Sequence, residues 1–206
     1  MKRTLYITFL VLFASLSAYC QKADEMFRSV VDGIKAFKNI EISFEYKMTN
    51  DVVGINETIT GNGFLQGDAY RLDLGSQILI CDSNTLWTYL PDDAEVMISD
   101  VNAEDGSNSP LSIIESYYDN VNVVLDDKNE DFKSFVITPQ NEDKLKKIVV
   151  NIDKKTSHLK EIHVYDDDGN IFSYIINKFI TNQELPQNTF VFDEESLPDV
   201  EVIDMR

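Results

Sequence analysis

Two periods divide the chain. Met26, Phe27, Val30, Val31, Ile34 and Phe37 recur at steps of three and four, which predicts an amphipathic helix with one apolar face. Asp24 and Glu25 in its first turn and Lys35 and Lys38 in its last complement the helix dipole. The period then drops to two: Ile40, Ile42, Phe44, Tyr46 and Met48 alternate with Glu41, Ser43, Glu45, Lys47 and Thr49, as in a long strand with one wet face. Further strands are expected at 56–66, 69–74, 77–81, 85–90 and 94–99, divided by Gly-Asp, Gly-Ser, Asp-Ser-Asn and Pro-Asp-Asp turns. After a polar loop over 102–110, a short helix over 111–118 starts beside Pro110. Strands are then expected at 121–126, 132–138, 145–152, 159–165 and 170–179, with a last short one at 190–192. Asp167-Asp168-Gly169-Asn170 is the sharpest hairpin signal. The resulting fold class is mainly β with helices (α+β): one strongly curved antiparallel sheet, a barrel or half-open barrel, with helices covering its concave face.

The first twenty residues fall outside this scheme. Lys2 and Arg3 precede an apolar stretch from Leu5 to Leu16, and Ala18-Tyr19-Cys20 offers small residues at the positions read by a signal peptidase. Residues 1–20 are therefore expected to be a cleaved signal peptide and 21–206 a single exported domain. A lipoprotein signal is the alternative: Cys20 would then be lipidated and the domain tethered to a membrane (the outer membrane, if the family resemblance given below holds), but Tyr19 stands where a small residue is preferred. After cleavage Cys81 is the only cysteine, so the fold relies on its core rather than on an internal disulfide.

Charge narrows the partners. The whole chain carries a formal −18, and residues 1–20 hold two bases and no acid, which makes the remainder −20. Such a domain is repelled by phosphate backbones and anionic lipid surfaces, so no nucleic-acid partner is expected. The acidity serves solubility, and it would equally stop a protein with an apolar site from adhering to membranes.

Catalytic signals are missing. The chain contains no nucleophile elbow, phosphate loop or dinucleotide fingerprint. His158 and His163, five residues apart on one strand, point to opposite faces and read as surface residues beside a turn. Cys81 ends an apolar run and reads as a buried, inert thiol. Asp166, Asp168 and Gly169 begin like a calcium loop, but Val164 and Ile175 stand where acids are required. No catalytic residue, metal or cofactor is assigned, and a hydrolase with an unrecognised carboxylate pair is the weakest reading.

One stretch is more specific. Gly61-Asn62-Gly63-Phe64-Leu65 leads into Ala69-Tyr70-Arg71-Leu72-Asp73-Leu74, then an apolar run Ile78-Leu79-Ile80, a turn, Leu86-Trp87-Thr88-Tyr89 and Glu95-Val96. The tail offers Phe190-Val191-Phe192 and Pro198 to Ile203, and Glu161 to Gly169 fits a penultimate hairpin. Over essentially all of 21–206 this resembles the outer-membrane lipoprotein carrier (LolA) family. The resemblance implies a half-open curved sheet whose cavity shelters the acyl chains of lipoproteins crossing the periplasm. It also implies a monomer whose partners are those acyl chains, an inner-membrane lipoprotein-releasing transporter and an outer-membrane acceptor. Phe44, Tyr46, Met48, Phe64, Tyr70, Leu72, Trp87 and Tyr89 are the expected lipid-binding lining, with Ile113, Ile114 and Tyr117 of the short helix as its cover. Each of these is equally at home in an ordinary core. Aromatic and Met side chains give a conforming lining of low specificity. One departure is plain: the turn Gln66-Gly67-Asp68 lacks the basic residue and proline that many family members carry there, which puts the family's gating of the cover in doubt. Arg71 belongs to the aromatic-Arg strand and does not replace it. An envelope sensor of lipoproteins on the same fold is the remaining alternative.

Overall fold

The computed structural model describes residues 22–101, 121–139 and 145–206. The expected signal peptide with Cys20, and the expected short helix with Ile113, Ile114 and Tyr117, lie outside them.

A helix, α1 (22–35), precedes β1 (Ile40–Asn50). It ends before Phe37 and Lys38, which the periodicity had included. Phe37 instead packs edge-on against His158 and Phe179, and Lys38 pairs with Glu184 at 3.3 Å. The strands that follow are β2 (Ile55–Gln66), β3 (Ala69–Asp73), β4 (Ile78–Cys81), β5 (Thr85–Leu90) and β6 (Glu95–Asp100). After them come β7 (Val121–Asp126), β8 (Phe132–Pro139), β9 (Leu145–Asp153), β10 (Leu159–Asp166), β11 (Ile171–Thr181) and β12 (Glu201–Asp204). All join one open, curved sheet in the order β12-β6-β5-β4-β3-β2-β1-β11-β10-β9-β8-β7. Curvature has local causes: Ser43 and Phe44 of β1 pair with Lys178 and Ile176, so Asn177 is an extra residue in β11, and β10 is irregular at both ends.

Two expectations about the tail are corrected. Residues 190–192 form no strand, because the Thr189 and Val191 N–H groups turn back onto the carbonyls of Pro186 and Asn188 instead of joining a ladder. The true last strand, β12, pairs with β6 in parallel, so the sheet is not wholly antiparallel. The reason is topological: β11 lies mid-sheet between β1 and β10, and the tail must cross to the β6 edge before it can pair.

Alternation sorts the side chains onto two faces. On the first, Ala23, Phe27, Val31 and Ile34 of α1 pack on Ile40, Ile42, Leu72, Phe135, Ile137, Ile148, Val150 and Ile162. The rings of Phe27 and Phe135 lie 5.6 Å apart. A smaller cluster of Ile80, Val96 and Phe192, joined by Trp87, Tyr89 and Leu197, occupies the second face beneath the tail.

Buried asparagines pin the hairpins together. Asn50, 4% exposed, donates to the Asp168 carbonyl at 3.1 Å and to Asn170 Oδ1 at 2.8 Å, and its own Oδ1 accepts the Val52 and Val53 N–H groups. It thus ties the β1–β2 turn to the predicted Asp167–Asn170 turn, where Gly169 takes φ +85°. Asn39 does the same at the opposite end of β1, exchanging two bonds with the backbone of Gln183.

Candidate functional site

The first face is not filled everywhere. Beyond the region under α1, Phe44, Tyr46, Ile59, Leu74, Gln77, Leu79, Thr88 and Tyr174 surround a hollow of about 390 Å³. Register assembles it from five strands and the β3–β4 turn. Tyr46 lies opposite Ile59 on β2 and Tyr174 on β11, and Leu79 of β4 lies opposite Thr88 of β5. The Tyr46 and Tyr174 rings are 5.0 Å apart, and Phe44 approaches Tyr174 at 6.1 Å.

Gly61 and Gly63 make room for this wall. Both face inward, opposite Phe44 and Ile42 respectively. A Cβ at Gly61 would sit 2.6 Å from the Phe44 ring, and one at Gly63 would collide with the Arg71 carbonyl and Leu72. The missing side chains let Phe44 and Leu72 lie across β2.

The lining combines aromatic and aliphatic side chains with the polar groups of Tyr46, Gln77, Thr88 and Tyr174. Burial pushes the Tyr174 hydroxyl up to about 12, aided by Tyr46. Tyr46 is raised by its own burial and by the Glu57 charge. Burial likewise raises Tyr70 to about 12, with Cys81 contributing, and the Cys81 thiol is itself pushed up chiefly by burial. None of these groups is poised for acid–base work near neutral pH.

The sequence-derived lining is divided by the fold. Phe44 and Tyr46 border the hollow. Tyr70 and Leu72 share their face but are buried in the core, 4% and 1% exposed. Met48, half-buried, stands on the same face further along β1 and outside the hollow. Phe64, Trp87 and Tyr89 point the other way. Phe64 pairs across from Arg71, and Trp87 from Ile80, on the second face. Phe64 and Tyr89, with Arg71 and Ile80, line a different hollow of about 440 Å³, roofed by residues between Pro186 and Leu197. In β4 and β5 both parities are apolar, so sequence alternation could not say which residues share a wall. That double apolarity was nonetheless a signal of burial on both faces. Leu79, Thr88 and Tyr174, absent from the sequence-derived lining, are set in place only by cross-strand register.

The histidines do lie on opposite sides, but half-buried rather than on the surface. His158 stacks on Phe179 with centroids 4.6 Å apart, while His163 sits between Ser173 Oγ at 2.9 Å and Glu161 at 3.3 Å. Asp166 accepts the Asn170 backbone and side-chain N–H groups, as a turn-forming carboxylate does.

The profile of the family described as outer membrane lipoprotein carrier protein LolA matches residues 73–193, more than half of the chain. The chain belongs to the LolA family. No curated protein matches it by sequence. Among solved structures, an uncharacterized conserved protein from Thermus thermophilus is 12% identical with a TM-score of 0.51, over 87% of this chain and 98% of its own. At this identity the likeness is one of fold. A LolA superfamily protein from Nitrosomonas europaea is 9% identical (TM-score 0.45, 83% and 98% covered). Lipoprotein LppX of Mycobacterium tuberculosis is 12% identical (TM-score 0.47, 79% and 98% covered). This LolA-family chain thus combines the family's curved sheet with an aromatic hollow on the face that carries α1. No helix among the described residues is long and apolar enough to cross a membrane.

Proposed function

We propose that this LolA-family protein is a non-catalytic periplasmic carrier that shelters lipoprotein acyl chains in the first-face hollow. It takes them from an inner-membrane transporter and delivers them to an outer-membrane acceptor. The observation that carries this reading is the hollow itself, an aromatic and aliphatic wall of Phe44, Tyr46, Leu74, Leu79 and Tyr174 in a member of a lipoprotein-carrier family. Its volume of about 390 Å³ falls in the range of small-ligand sites, roughly 300–1,000 Å³. Each methylene withdrawn from water contributes about 0.8 kcal/mol, so a chain sheltered over about ten methylenes gains about 8 kcal/mol. Such binding is strong enough for transit and weak enough for release to a deeper apolar acceptor. The conforming aromatic wall suits cargo that shares lipid chains and little else.

Mass spectrometry of acyl species co-purifying with the protein from the cell envelope tests the reading, alongside binding of a tripalmitoylated lipopeptide. The wild type should carry acyl chains and bind the lipopeptide. Thr88→Phe, which pushes a ring into the hollow, should lower lipopeptide affinity by roughly tenfold or more, the equivalent of about two methylenes lost. A wild-type protein that yields no acyl chain and ignores the lipopeptide would overturn the proposal.

A further inference from the structure

Arg71 is the motif residue that the first-face hollow leaves unused. Alternation turns it away from Tyr70 and Leu72, so it emerges on the second face between its cross-strand partners, Phe64 and Ile80. There it lines the hollow of about 440 Å³ roofed by the tail. It is half-buried, and its guanidinium makes no hydrogen bond or ion pair with any described residue. In a chain with 36 acids against 18 bases that is unexpected. Lys38, Lys154, Lys178 and Arg206, by contrast, each hold a carboxylate. Two acids on the same side hold backbone groups instead. Asp73 accepts the Gly75 N–H at 2.9 Å, and Asp193, at the rim, accepts the Ser196 N–H at 3.3 Å to cap the short turn Glu194–Ser196.

A guanidinium in a partly dry hollow is matched best by an oxyanion taking two parallel N–H donors. The rest of the lining is mixed. Asn188, Thr189, Asp193 and Ser196 of the tail are polar, whereas Phe64, Ile80, Tyr89, Phe192 and Leu197 form an apolar part in which the Tyr89 and Phe192 rings lie 5.4 Å apart. One cation at the side of an aromatic hollow is complementary to one anionic head on an apolar chain.

We propose that this second-face hollow is a separate binding site for a single-chain amphiphile with an oxyanion head. Arg71 pairs with the head, and Phe64, Ile80, Tyr89 and Phe192 hold the chain. The site stands independently of the carrier function, because the two hollows share no lining residue.

The molecule supplies its own reporter. Trp87 is the only tryptophan of the chain, and it packs into the second-face cluster with Ile80, Val96 and Phe192. Its fluorescence is titrated with decanoate and decyl phosphate, each below its micelle concentration, and with decanol below its solubility limit. At least one anion should give a saturable change at concentrations roughly tenfold or more below those needed for decanol, as expected for a charge-assisted hydrogen-bonded pair. The tighter anion identifies the head as carboxylate or phosphate. Arg71→Gln should reduce anion affinity to that of decanol, and Arg71→Lys, which keeps the charge but not the fork, should fall between. Thr88→Phe, confined to the first face, should leave the titration unchanged whether or not it abolishes lipopeptide binding. Decanol binding the wild type as tightly as the anions overturns the proposal. So does anion preference surviving in Arg71→Gln, or a tryptophan response lost in Thr88→Phe. Thermal melts check that Arg71→Gln is folded; should it not be, the decanol comparison and Arg71→Lys decide the question.

Discussion

Single residues on the first face are set by desolvation. Tyr70 and Tyr174 are held near 12 by burial, against about 10 for a free phenol. Because the folded value lies above the unfolded one, their contribution to stability is complete below about pH 10 and disappears as pH rises towards 12. A spectrophotometric titration of the native protein should therefore separate a late-ionising tyrosine group, with the melting temperature falling over the same window. In urea the late group should merge with the rest, and a native titration already uniform near pH 10 would contradict the burial described. Cys81, 1% exposed and accepting the Ser83 N–H at 3.3 Å, has the buried, unreactive environment that its neighbours in sequence suggested. Asn50 and Asn39 were not legible in the same way. An asparagine beside a turn looks like ordinary turn chemistry until the partner hairpin is in view.

Elements meet through close approaches that only particular residues allow. The inward-facing glycines of β2 differ in what opposes them: the Phe44 ring at Gly61, and the Arg71 backbone at Gly63. A side chain can turn aside more cheaply than a strand. Gly63→Ala should accordingly destabilise the protein by about 3 kcal/mol or more and Gly61→Ala by about 1–2 kcal/mol. Paired urea unfolding curves measure both, and equal costs would show that β3 shifts as readily as the ring. Gly61 and Gly63 were visible in the sequence as part of a family-like motif, yet their role as clearance for Phe44 and Leu72 depends on the pairing of β2 with β1 and β3. The element boundaries, by contrast, were nearly all readable. β5 and β7 coincide with their expected spans, and most others differ by a residue or two at an end.

The whole molecule is governed by an excess of like charge, −18 for the full chain. Several ion pairs lie at its surface, including Lys178 with Glu41 and Lys154 with Asp127, but acids outnumber bases 36 to 18. Self-repulsion at this scale is long-ranged, and the Debye length contracts from about 30 Å at 0.01 M salt to about 8 Å at 0.15 M. The melting temperature should rise across that range by a few degrees, and a fall would mean that local ion pairs outweigh the net field. The same charge would oppose adhesion to anionic lipid surfaces, as the proposed carrier role requires.

Secondary structure followed from the sequence because it is written in short-range periodicity. The switch from steps of three and four to steps of two after residue 37 is a local signal, and turn residues such as Asp168-Gly169 carry their own backbone preference. The family was legible for a related reason, since its motifs are contiguous stretches. What tertiary structure alone decided is which side of the sheet each residue serves. In β4 and β5 both parities are apolar, so Leu79 and Thr88 could be separated from Ile80, Trp87 and Tyr89 only by the register that sets one group around the first hollow and the other beneath the tail. The tail's own course was equally non-local. Phe192 reads as strand by composition, but it becomes a packing residue on Tyr89 because the chain must cross the second face before β12 can pair with β6. A strand's pattern says that it has two faces, and only its neighbours in space say what each face is for.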